Sequence, residues 1–97
     1  MIKRVIVRAR AKRDIREARF WYRNISHQLG EDFVTSVDDA ILLARTYPLA
    51  FHLVHRTFRR VLLRRFPYAL FYQASDDRLI VVAVLHQARD PEVVRRL

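Results

Sequence analysis

Residues 58–86 read FRRVLLRRFPYALFYQASDDRLIVVAVLH, and this stretch decides the fold class. Three runs rich in β-branched and aromatic residues, 58–66, 68–74 and 79–86, are separated by Pro67 and by Ser75-Asp76-Asp77. Proline cannot donate to a strand ladder and short polar side chains favour turns, so the segment predicts an antiparallel meander. Near-continuous apolarity over 79–85 predicts a central strand buried on both faces. Strict alternation along the first run would send Arg60 and Arg64 to one face and Arg59 and Arg65 to the other.

Upstream of the meander the period changes from two to three-and-four. Ala11, Ile15, Ala18, Tyr22, Ile25 and Leu29 fall on one face of a helix, with Lys12, Arg13, Asp14, Arg16, Glu17, Arg19 and Arg23 forming a solvated face. Asp14 and Glu17 also suit the positive end of the helix dipole. Gly30, the one glycine of the chain, fits a helix terminus with a tight reversal. Phe33, Val37, Ala40, Ile41 and Ala44 then mark a second helix, ending near Tyr47-Pro48 because the residue before proline is pushed out of the α region. Residues 2–8 read as a short strand, and 89–97 as a polar tail with one helical turn. The expected fold is α+β: an N-terminal strand and an αα-hairpin packed on an antiparallel sheet of about four strands, in the order β-α-α-β-β-β, as one domain over 1–97.

Composition narrows the function classes. There is no cysteine, which excludes a disulfide frame and a thiolate metal site. The N-terminal stretch lacks the apolar core of a signal peptide, and no run approaches the roughly 20 apolar residues of a membrane span. A soluble, cytoplasmic protein with no membrane contact is therefore expected. Nineteen Lys plus Arg against ten Asp plus Glu give a net charge of +9. Only Lys3 and Lys12 are lysines, so the other seventeen cations are arginine. Arginine suits planar, bidentate contacts with phosphate and carboxylate, which points to a nucleic acid or an acidic protein segment; an arginine-favouring codon bias is the plainer source.

Element order and motifs together resemble the RelE/ParE superfamily of bacterial toxins. Ala9-Arg10-Ala11-Lys12-Arg13-Asp14-Ile15 is similar to the start of the first helix in the ParE-like group, and Leu29-Gly30-Glu31-Asp32-Phe33 to the entry of the second. The distal half is the most specific: Arg64-Arg65-Phe66-Pro67-Tyr68 with Phe71-Tyr72, then His86-Gln87-Ala88-Arg89-Asp90-Pro91. The resemblance implies the toxin of a type II toxin–antitoxin pair, held in a hetero-oligomer by an antitoxin whose acidic segment folds on binding. RelE-like members cut messenger RNA on the ribosome, whereas ParE-like members poison DNA gyrase.

The residues separate the two branches. RelE-like nucleases place an arginine after the tyrosine that opens the middle strand, where this chain has Ala69, and a terminal aromatic, where it reads EVVRRL. Arg89 does match a family arginine. The resemblance thus favours the ParE-like branch, a gyrase inhibitor acting by binding, with a RelE-like nuclease or a non-catalytic basic binding module as alternatives. His86 and Arg89 are the candidates for catalysis, since imidazole titrates near neutrality. The plainer reading has His86 and Asp90 holding the C-terminal turn. Arg60, Arg64, Arg65 and Arg89 are the candidates for target binding. Phe20, Trp21, Arg16 and Arg23 are the candidates for antitoxin binding, because three consecutive aromatics (20–22) cannot share one helix face. His27, His52 and His55 lack an accompanying carboxylate cluster, so no metal is expected, and no cofactor is implied.

Overall fold

The computed structural model describes residues 1–88 and 91–97. The elements run β1 (Arg4–Val7), α1 (Ala9–Ile25), α2 (His27–Thr46), β2 (Leu53–His55), β3 (Phe58–Leu62), β4 (Tyr68–Ala74), β5 (Arg78–His86) and α3 (Pro91–Arg95). Among the described residues the sheet has five strands in the order β1-β5-β4-β3-β2. The meander is antiparallel, as the sequence predicts, but β1 pairs with β5 in parallel, Arg4 opposite Arg78 through Val7 opposite Val81. A parallel neighbour needs a long crossover. The helical hairpin is the first part of it, carrying the chain from β1 to the far edge of the sheet. The extra strand, β2, has three residues, too few to show a period.

The helical hairpin departs from expectation at its turn. The reversal is at Ser26, not Gly30. Ser26 is extended, and its Oγ accepts from the Leu29 N–H at 3.4 Å, capping α2. The α1 stripe therefore stops short of Leu29, and Ile25 is exposed. Gly30 lies inside α2, fully in contact with α1: an added Cβ would overlap Arg23 Cγ and sit 3.1 Å from the Arg19 carbonyl oxygen. Glycine serves close approach here, not chain reversal. Beside it Arg19 donates to Glu31 at 2.6 Å across the two helices, and this hydrogen bond holds the Glu31 carboxyl below its usual range.

The helix-facing core contains Ala11, Ala18, Phe33, Val37, Ala40 and Ala44 from the hairpin, with Val61, Leu70, Tyr72, Leu79, Val81 and Val84 from the sheet. Its centre is aromatic. Tyr22 and Phe33 stack at 5.5 Å, Phe66 meets both edge-on at 4.8 and 5.3 Å, and Tyr68 meets Phe33 at 5.1 Å. The opposite sheet face buries Phe58, Ala69, Phe71, Val82, Ala83 and Leu85 beneath Val93, Val94 and Leu97 of the C-terminal segment. β5 is thus covered on both faces, as its apolarity predicts.

An irregularity shifts which residues face each side. Phe71 pairs with Ala83 but the next residue, Tyr72, pairs with Val81, so Val82 is inserted as a bulge. Val82 and Ala83 consequently join the same core, and alternation resumes with Val84 on the helix side. Beyond Val81 the strand has outrun β1, and its edge needs another partner. Asp14 supplies it: Oδ2 accepts from the Val84 N–H at 3.0 Å, with the carboxylate 9% exposed. Asp14 is therefore part of the fold rather than of the solvated face.

Two changes test these joints in denaturant unfolding. Gly30→Val is expected to cost about 2 kcal/mol or more through overpacking of the helix contact, against about 1 kcal/mol for Ser26→Ala. Asp14→Ala is expected to accelerate amide exchange at Val84, while Asp14→Asn, which keeps an acceptor, largely preserves its protection.

Candidate functional site

On the sheet face away from the hairpin lies a cleft of about 290 Å³. Its floor is apolar: Ala69 and Phe71 from β4 and Leu85 from β5, all buried. Val54 of β2 and Val94 of α3 form its walls. Ala69, opposite Leu85 in the ladder and two residues from Phe71, is the smallest of the floor side chains. Arg60, His55, His86, Gln87 and Arg95 complete the lining. Arg60 is exposed and makes no side-chain hydrogen bond or ion pair among the described residues, whereas Arg95 is paired with Glu92.

The predicted alternation of the four arginines does not hold over its whole length. β3 ends at Leu62, so strand alternation stops before Arg64 and Arg65, which belong to the connection into β4. Arg60 faces the cleft. Arg59 points to the hairpin side, donating to the Phe51 carbonyl at 2.9 Å, near enough to Tyr72 to offset in part the rise that burial gives its phenol. Arg64 and Arg65 instead approach α2: the Arg64 carbonyl accepts from Ser36 Oγ at 2.9 Å, and Arg65 Nη1 lies 3.5 Å from Asp32 Oδ2. Arg65 adopts a left-handed backbone (φ 71°), which no glycine or asparagine announced. Arg89, the remaining target-binding candidate and a catalytic candidate, lies outside the described residues, as does Asp90.

His86 ends β5 with its ring edge-on to Tyr68 at 5.2 Å and its Nδ1 accepting from the Ala88 N–H at 3.0 Å. That bond ties the imidazole to the turn that follows β5; Asp90, the other half of the plainer reading, lies outside the described residues. A shallower groove of about 210 Å³ runs from His86 along the open edge of β5, walled by Asp14, Glu17 and Trp21 of α1. His27 opens α2, His52 lies in the loop before β2, and His55 is in β2. Among the described residues no group of three or more His, Asp or Glu side chains could hold a metal ion.

On α1, Phe20 and Trp21 are 66% and 64% exposed, which separates them from Tyr22 in the aromatic core. They do not share a direction. Residues one apart are about 100° apart on a helix: Trp21 flanks the β5 groove, while Phe20 falls with Arg16 on the outward stripe. Arg23 borders that stripe on the α2 side, its stem against Gly30. The sequence missed His55 and Arg95 as cleft residues. The first sits in a strand too short to recognise, and the second reaches the cleft only through the fold of the C-terminal segment.

Residues 5–91 match the sequence model of a family described as the ParE toxin of the type II toxin–antitoxin system parDE. No curated protein matches the chain. A solved structure described as the chromosomal ParDE TA system from P. aeruginosa matches with a TM-score of 0.60 at 11% identity, over 88% of this chain and 96% of that one. At that identity the likeness is one of fold. No helix among the described residues is long and apolar enough to cross a membrane.

The division of the three consecutive aromatics is measurable. Phe20→Ala and Trp21→Ala are each expected to change unfolding stability by less than about 0.5 kcal/mol, and Tyr22→Ala to cost about 3 kcal/mol or more.

Proposed function

The chain belongs to the ParE toxin family of type II toxin–antitoxin systems, and from that premise we propose that it arrests growth in the cytoplasm by binding DNA gyrase. The inhibition is stoichiometric binding rather than a reaction of its own. A cognate antitoxin with an acidic segment that folds on binding holds it inactive in a hetero-oligomer.

One observation carries the choice of branch. Ala69 occupies the strand position where RelE-like nucleases carry a phosphate-binding arginine, and it lies at the bottom of an apolar floor. RNA cleavage by a 2′-hydroxyl requires positive charge on the phosphate and a pair of groups to move protons. Phe71 and Leu85 beside Ala69 supply neither, and Arg60, His55 and His86 stand around that floor rather than on it. An apolar floor with arginine at its rim favours recognition of a protein surface. For the antitoxin, the outward stripe of α1 has the fitting chemistry: Arg16 and Arg23 for carboxylates, with the exposed Phe20 ring between them as an apolar contact.

Induced alone in a bacterium, the protein is expected to stop thymidine incorporation before amino-acid incorporation, and in purified form to block supercoiling by gyrase. Earlier loss of amino-acid incorporation would replace gyrase with the ribosome as target, and undisturbed growth with soluble protein present would leave a binding module. An Arg16→Glu, Phe20→Ala double variant is expected to remain toxic while the antitoxin encoded beside it no longer rescues growth.

A further inference from the structure

We propose that the cleft between the sheet and α3 is an anchor pocket that receives one aromatic or branched apolar side chain from an acidic segment of the target protein. The inference deepens the functional reading above and rests on it for the existence of a protein target.

The size of the cleft limits its occupant. Ligand pockets span roughly 300–1,000 Å³, so at about 290 Å³ this cleft suits a single ring or branched side chain better than a nucleotide cofactor. Its floor of Ala69, Phe71 and Leu85 is at most 4% exposed, and it sits on strands fixed by the sheet. A rigid apolar pocket at the centre of a contact is where the binding energy of protein interfaces concentrates.

Charge selects the surroundings of that side chain. No carboxylate of the described residues lines the cleft, while Arg60 stands at its rim with Arg95, which is paired with Glu92. Arg60 is without a side-chain partner among the described residues, so it can meet an incoming carboxylate without first breaking a bond. The net charge of +9 steers an acidic surface toward it. A nucleic acid fits less well, because its affinity comes from a row of cations tracking successive phosphates, and here neither Arg64 nor Arg65 lines the cleft, Arg65 reaching Asp32 of α2 instead. The cleft shares no residue with the outward stripe of α1, so target and antitoxin contacts are separable by mutation.

The test compares Arg60→Glu and Val94→Trp, which fills the cleft from its rim, with Arg4→Glu on β1 as a control for net charge. The first two are expected to raise the toxin level needed for growth arrest about tenfold or more, Arg4→Glu to leave it unchanged, and all three still to form the antitoxin complex. Equal toxicity of Arg60→Glu, Val94→Trp and the wild type would overturn the proposal. So would equal weakening by Arg60→Glu and Arg4→Glu, which would reduce the effect to bulk charge, or loss of the antitoxin complex along with toxicity, which would make the antitoxin the occupant. In parallel, the peptide Asp-Glu-Phe-Glu-Asp is expected to shift the NMR signals of Ala69, Phe71 and Leu85, and its Phe→Ala counterpart to do so about tenfold more weakly. An oligonucleotide of equal charge moving those signals more strongly than the peptide would sink the idea. Growth arrest is read without assuming which protein is hit, so a wild type that fails to inhibit gyrase refutes the choice of target and leaves the cleft standing.

Discussion

Phe66 packs edge-on against Tyr22 of α1 and Phe33 of α2, and through this contact the hairpin grips the connection between β3 and β4. Each such ring pair is worth about 1 kcal/mol beyond its buried area. Position matters more than the sum. In the cluster both helices meet the entry to β4, and polar contacts reinforce it on the same side. Ser36 donates to the Arg64 carbonyl, and Arg65 reaches Asp32 while its guanidinium stands 5.9 Å over the Phe66 ring. A tightly held connection fixes where β4 begins, hence the ladder with β5, hence the floor of the cleft.

This arrangement explains why two separated sequence motifs occur together. The stretch 29–33 supplies Gly30 for the helix contact, Asp32 for Arg65 and Phe33 for the ring cluster. The stretch 64–68 supplies the partners of Asp32 and Phe33. The motifs that identify the chain are thus largely scaffold, and a match to them reports on the fold more directly than on the target. Evidence for the target has to come from the other face, where Ala69, Arg60 and the walls of the cleft are free of that duty.

How far the sequence could be read follows from the same division. The stripes Ala11–Tyr22 and Phe33–Ala44 and the apolar run of β5 obey simple periods, so the helices, the meander and the doubly buried strand are legible. What was not legible depends on tertiary contact. Gly30 looks like a chain terminator until α1 is seen against it. Asp14 looks solvated until β5 outruns β1 and leaves the Val84 N–H in need of an acceptor. Arg56 and Arg65 take left-handed conformations without the residues that usually signal them, hiding both the β2–β3 turn and the true end of β3. The cleft is harder still, since His55, Arg60 and Arg95 come from three distant segments and form no spaced motif.

The parallel pairing of β1 with β5 carries a consequence for timing. Residues 4–7 are made long before their partners, 78–81. Pairing across nearly the whole chain must await closure of a long loop, which is slow and costly in entropy. A nascent chain therefore cannot complete its sheet until β5 has been made. For a member of a toxin family, such late closure means that the helical hairpin is synthesised well before the sheet behind it can close.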